Sequence, residues 1–89
     1  MRFTWHEQKR IGNLRKHGLD FANAQQVFSG PTLTEEDKRD YQGQQRFNTT
    51  GLLGVEVVVV CHTEDEDEIH IISMRKAQNH ETRKFFSYL

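Results

Sequence analysis

Arg75 and Lys76 end an apolar run, Ile69-His70-Ile71-Ile72-Ser73-Met74, that reads as a buried strand. A guanidinium at the rigid end of a strand suits a phosphate, because its planar fork is already aimed and its donors match the oxygens in pairs. Arg46, His62 and Arg83 lie near other strand ends or on the last helical segment, so further cations can gather with Arg75. Against that role stands a plain surface ion pair between Arg75 and Glu81, or with the acidic run Glu64–Glu68. His62 has three open readings: a structural histidine, a general acid–base group titrating near neutral pH, or half of a metal pair with His70. The pair requires a three-residue turn, Asp65–Asp67, which would set His62 opposite His70 on one sheet face. Lys9, Asn13 and Lys16 share one side of a helix, with Ile11 and Leu14 opposite. Such a stripe is either solvated surface or a contact for a polyanion or a protein partner.

The formal net charge of −1 conceals segregation. Between residues 2 and 17, Arg2, Lys9, Arg10, Arg15 and Lys16 oppose Glu7 alone, a net +4. Between residues 75 and 84, Arg75, Lys76, Arg83 and Lys84 oppose Glu81, a net +3, while Glu64–Glu68 carries −5. A polyanion can bind both basic ends if folding unites them, with the acidic run turned away or covered by a basic partner. The alternative is that these runs are only solvated surface. Eighty-nine residues suit one domain, 1–89. One cysteine excludes an internal disulfide, and Cys61 in its apolar run reads as a buried, reduced thiol of a cytoplasmic protein. No leader-like opening and no apolar stretch near eighteen residues is present, so neither secretion nor membrane insertion is expected.

These side chains need elements to position them. Arg2–Trp5 reads as an edge strand, and Thr4 with Glu7 fits a capping box opening a helix that Gly18 closes. Asp20 caps a second helix with the apolar stripe Phe21, Ala24, Val27 and Phe28, stopped by Gly30-Pro31. Residues 31–45 read as a polar, mobile connection holding at most a short strand. Gln45–Thr50 and Val55–Thr63 are strands about a Gly51–Gly54 turn, the second Val-rich on both faces and therefore central. Glu68–Met74 returns from the acidic turn. Asn79 caps a last helix with Thr82, Phe85, Phe86 and Leu89 on one face. The pattern is α+β: an N-terminal strand and two helices on an antiparallel sheet of about four strands, then a C-terminal helix.

Phe3-Thr4-Trp5, Lys9, Asn13, Lys16-His17-Gly18, Phe21 and Ala24, followed by Ile69-His70-Ile71-Ile72-Ser73-Met74-Arg75-Lys76-Ala77, occur in an order and spacing that resembles the BrnT family. These are small ribonuclease toxins of type II toxin–antitoxin pairs. The likeness spans nearly the whole chain and is weakest from Gly30 to Gln45. It implies a RelE-like fold and an endoribonuclease that arrests translation. RNA carries its own nucleophile, the 2′-hydroxyl, so the implied reaction requires no metal and no cofactor. It requires help in deprotonating that hydroxyl, cations for the phosphorane and a donor to the leaving 5′-oxygen. Arg75 matches the family's arginine after the strand end, and Arg46 the arginine opening the central hairpin; with His62 they are the implied catalytic residues. Lys76, Arg83, Lys9 and Lys16 are the implied RNA contacts. Phe85 stands where relatives often carry Tyr, and His70 where they commonly carry Arg. The implied partners are an RNA substrate and a ribbon-helix-helix, BrnA-like antitoxin, with operator DNA reached only through that complex. Two other readings are a non-catalytic, toxin-derived corepressor and a nucleic-acid-binding module without hydrolysis.

Overall fold

Val57–Val60 is apolar on both sides of a strand, and the computed structural model, which describes residues 1–89, puts that strand at the sheet's centre. The elements are β1 (Arg2–Thr4), α1 (Glu7–His17), a 3-10 turn (Phe21–Asn23), α2 (Ala24–Phe28), β2 (Thr32–Asp37), β3 (Arg46–Leu53), β4 (Glu56–Glu64), β5 (Glu68–Lys76) and α3 (Asn79–Ser87). The strand order is β1-β5-β4-β3-β2. The α+β class holds, but the sheet is mixed and has five strands rather than four antiparallel ones: β1 runs parallel to β5, pairing Arg2 with Glu68 and Thr4 with His70. A parallel neighbour needs a long crossover, and most of the chain lies between those partners.

One face carries the main core. Phe21, Ala24 and Val27, all fully buried, pack with Leu19 on Val58, Val60, Ile69, Ile71 and Met74. Gly51 lies inside β3, not in the turn, and glycine is needed there because a Cβ would stand 2.8 Å from Val27 Cγ1. The hairpin instead turns tightly at Gly54-Val55, with Leu53 paired to Glu56 and Gly54 at φ 61°. α3 closes over the other face, where Thr50, Val59 and Phe85 are buried.

Three local expectations are corrected. His6, not Thr4, is the N-cap of α1, and it offers no side-chain cap. The Thr4 hydroxyl instead meets Glu68 Oε2 at 3.1 Å and His70 Nδ1 at 2.9 Å, tying β1 to β5. The α3 cap is Gln78, one residue before Asn79, in a reciprocal capping box with Glu81. Asn13 is buried at 8% exposure while Leu14 is 41% exposed, so Asn13 drops out of the polar stripe of α1, whose Lys9 and Lys16 stay exposed. β1 shields β5 only at Glu68–His70, leaving the later edge amides open. Asn13 fills that gap: its Oδ1 accepts from the Met74 amide at 3.1 Å and its Nδ2 donates to the Leu19 carbonyl at 3.0 Å. A buried backbone donor must be satisfied, and this amide does it better than any apolar residue.

Candidate active site

Neighbours along a strand point to opposite faces, so the register sorts the predicted residues. Val58 and Val60 face the helical core, which places Val59 and its partner Arg75 on the α3 face. Cys61 pairs with Ser73 and with Asn48, bringing all three to that face. Arg46 precedes Phe47, the partner of His62, and therefore joins them. A cleft of about 470 Å³ lies between β2, β3 and α3, with Glu35, Asn48, Thr50, His80, Glu81 and Lys84 among its lining. Lys84 Nζ spans it to Glu35 Oε2 at 2.7 Å.

Arg75 projects its fork to Glu81, with Nη1–Oε1 at 2.7 Å and Nη2–Oε2 at 2.9 Å. Glu81 Oε1 also accepts from the Gln78 amide at 2.8 Å, so one carboxylate serves both the helix cap and the guanidinium. The Arg75 hydrogen bonds, then the Gln78 amide, hold its pKa down to about 2, while Arg75 is raised by the same pair. A carboxylate that acidic is an anion clamp rather than a general base at neutral pH. The ion pair named against a phosphate role is therefore present, and it shows how the fork is aimed.

Arg46 stands on a different support. Its Cζ lies 4.0 Å from the centroid of the Tyr41 ring, and its Nε donates to Gln44 Oε1 at 2.9 Å. Tyr41 donates to Asp37 Oδ2 at 2.8 Å, and Arg39 Nη2 reaches the same oxygen at 2.7 Å. The Arg39 and Tyr41 bonds hold Asp37 well below the usual carboxylate range. Burial raises the Cys61 thiol, and the Arg46 charge partly opposes it.

His62 is elsewhere. It is fully buried among Phe28, edge-on at 5.1 Å, and Phe47, stacked at 5.9 Å. Nε2 meets Thr49 Oγ1 at 2.7 Å, while Nδ1 has no hydrogen-bond partner. Desolvation lowers its pKa to about 4, offset only in part by the Thr63 backbone. Glu64 Oε1 stands 3.6 Å from Nδ1, too far and too exposed to reverse that. It is a core histidine on the helical face, not a neighbour of Arg46 and Arg75. The metal pair fails as well. Thr63, not His62, pairs with His70, and Ile72 bulges out between the His62–Ile71 and Cys61–Ser73 pairs. No cluster of three or more His, Cys, Asp or Glu could hold a metal.

Lys76 pairs with Val58, on the helical face, and its Nζ lies 3.8 Å from Glu56. Arg83 is exposed on α3, and Lys9 and Lys16 are exposed on α1, which packs along β5. The structure thus unites Arg46 and Arg75 but not the other five predicted residues.

Residues 5–81 match the family model described as "Ribonuclease toxin, BrnT, of type II toxin-antitoxin system". The chain belongs to the BrnT family. It is also similar to the Brucella abortus ribonuclease toxin BrnT, whose 1.1 Å crystal structure matches with a TM-score of 0.65 at 28% identity, over 89% of this chain and 99% of that one. No curated protein matches the chain. The BrnT match includes Arg46, Arg75 and Glu81, and stops before Arg83 and Phe85. Asp37, Arg39 and Tyr41 were missed because polar residues 31–45 resemble a solvated connection. β2 ends at Asp37 and residues 38–43 are bends and a turn, so no periodic signal marked Arg39 and Tyr41.

Proposed function

We propose that this protein is a metal-independent endoribonuclease toxin that cleaves RNA through its 2′-hydroxyl and arrests translation. The observation that carries the reading is Arg75: a strand-end guanidinium on an open polar face beside a cleft, in a chain of the BrnT family. In this reaction the 2′-oxygen bonds to phosphorus, the bond to the 5′-oxygen breaks, and a cyclic phosphate and a 5′-hydroxyl result. Arg75 stabilises the added charge on the phosphorane, and Arg46 adds to the positive field of the face without touching that phosphate. The proton moves from the 2′-hydroxyl to a base, and another is given to the 5′-oxygen. His80, which lines the cleft next to Glu81, takes the exchange that His62 cannot reach. Lys76, Arg83, Lys9 and Lys16 steer the polyanion from a distance. The setting is the cytoplasm, the partner a BrnA-like ribbon-helix-helix antitoxin, the complex the form that meets operator DNA, and the architecture a RelE-like one. No helix is long and apolar enough to cross a membrane.

Purified protein should cut RNA in excess EDTA and leave cyclic phosphate ends. Arg75→Ala should slow turnover by roughly a hundredfold, about 3 kcal/mol of transition-state stabilisation, and Arg75→Lys should recover little of it. Loss of cutting in EDTA, restored by one divalent metal, would overturn the metal-free mechanism; a folded Arg75→Ala that cuts normally would move the site. The occupied fork of Arg75 favours one second reading. Held in both bonds by Glu81, it suits a toxin-derived corepressor that no longer cuts. Absence of growth arrest on expression, with antitoxin binding intact, would select it.

A further inference from the structure

Arg46, unlike Arg39 and Arg75 on the same face, has no acidic partner: its hydrogen bond is to the neutral Gln44 amide. One plane of its guanidinium lies on the Tyr41 ring at 4.0 Å, closer than Arg39, at 5.5 Å from the same ring. The ring itself is fixed. Its hydroxyl is tied to Asp37, whose side chain is only 7% exposed, and Arg39 anchors that carboxylate with Nη2 at 2.7 Å and Nε at 3.0 Å. The backbone is fixed too. Gln42 at φ 60° and Gly43 at φ 84° turn the chain back so that the Gln44 amide donates to the Tyr41 carbonyl at 3.2 Å. Gln42 is the only residue other than glycine with positive φ, a cost of order 1 kcal/mol that must be offset by its surroundings. A tyrosine held this firmly under an unneutralised guanidinium is a poor solvated loop and a good platform.

A guanidinium plane backed by an aromatic ring presents a flat, weakly hydrated cation, which stacks on the π-face of an unpaired base. Arg46 sits four residues along β3 from Thr50, and Thr50 is two strands from Arg75 through Val59. The two Cα atoms are therefore separated by roughly 13 Å along the strands and about 10 Å across them. With Arg75 turned to Glu81 and Arg46 laid on Tyr41, a short stretch of single strand, a few nucleotides long, spans that gap. We propose that Arg46 and Tyr41, braced by Asp37 and Arg39, form a nucleobase-stacking subsite that seats one unpaired base of single-stranded RNA beside the phosphate held by Arg75. The proposal rests on the reading of this face as an RNA site. It gives residues 37–46 the job of choosing where the strand lies, while Arg75 does the phosphate chemistry. Stacking tolerates any base but favours large ones, so the subsite prefers purines without reading a single letter.

The test is binding of a mixed-sequence 2′-O-methyl RNA hexamer, which cannot be cut, against the same backbone without bases. Wild type should bind the base-bearing hexamer more tightly than the abasic one. Tyr41→Ala and Arg46→Lys should each weaken the base-bearing hexamer about tenfold, the lower half of the range for losing a stacked base, and leave the abasic one within twofold. Arg46→Lys keeps charge and strand, so it decides the matter if Tyr41→Ala does not fold. Parallel loss on both ligands, or no loss on the base-bearing one, overturns the subsite while leaving the RNA reading intact. If wild type binds neither hexamer, the RNA reading fails and the subsite with it.

Discussion

Asn13→Ala should destabilise this protein far more than a change on a solvated helix face. Its side chain makes two buried hydrogen bonds, to the Met74 amide and the Leu19 carbonyl, and Met74 is fully buried with Leu19 at 8% exposure. Alanine leaves both backbone groups without a partner, at about 1–3 kcal/mol each. Its better helix propensity returns at most about 0.7 kcal/mol. The expected net loss is about 2–4 kcal/mol, a large share of the stability of a domain this size. For such a domain each kcal/mol moves Tm by about 4–8 °C, so the midpoint should fall by roughly 10–25 °C. Urea unfolding followed by circular dichroism gives the free energy by linear extrapolation. Hydrogen exchange at the Met74 amide gives the local consequence, since β5 loses its clamp one residue before Arg75. A loss under about 0.5 kcal/mol, the scale of an ordinary surface substitution, would refute the reasoning and restore Asn13 to the polar stripe.

Glu81→Gln should free the Arg75 charge while a Gln at the same position still returns a hydrogen bond to the Gln78 amide; RNA affinity, measured on the uncuttable hexamer, should rise, and an unchanged value would mean Glu81 does not compete with phosphate. Buried His62, with its pKa lowered to about 4 from an ordinary 6.5, binds a proton more readily unfolded than folded between those limits. Its share of stability, about 3 kcal/mol, is therefore full above pH 6.5 and lost as pH falls toward 4; denaturation midpoints of His62→Gln should lack that slope, and an identical slope would assign it to other groups. Lys9→Glu/Lys16→Glu should slow association with the antitoxin and weaken its salt dependence without unfolding the toxin; an unchanged stopped-flow rate would move the partner off α1.

Where a local signal and the tertiary demand agree, the sequence was legible. The Val-rich strand lies at the centre of the sheet, the Phe21–Val27 stripe is fully buried, and Gly18 closes α1 at φ 71°. Where a long-range partner decides, it was not. The pairing of β1 with β5 joins residues more than sixty positions apart, and its early end leaves open the edge amide that turns Asn13 inward. A hydrophobic count cannot see a buried amide whose partners are both backbone. The tight turn at Glu66-Asp67, closed by backbone hydrogen bonds between Asp65 and Glu68, is likewise silent in sequence, yet it sets the offset that separates His62 from His70. Of the site, Arg46 and Arg75 were legible as strand ends. His62 misled because strand ends and core positions coincide there: an apolar alternation carried one step further buries it.

The same geometry explains how one small domain would hold the proposed phosphate site without collapsing it. Two unpaired arginines on one face would repel each other. The protein neutralises them differently. Arg75 is given a carboxylate, but one already committed to the α3 cap through Gln78, so Glu81 stays in place when the fork turns to another anion. Arg46 is given no carboxylate and instead lies on an aromatic ring whose own hydroxyl is fixed by Asp37. An anionic strand can therefore take both cations by exchange at one and by addition at the other, with no element of the fold left uncapped. That asymmetry, one arginine clamped and one laid flat, is what a site needs to grip a phosphate at one point and a base at the next.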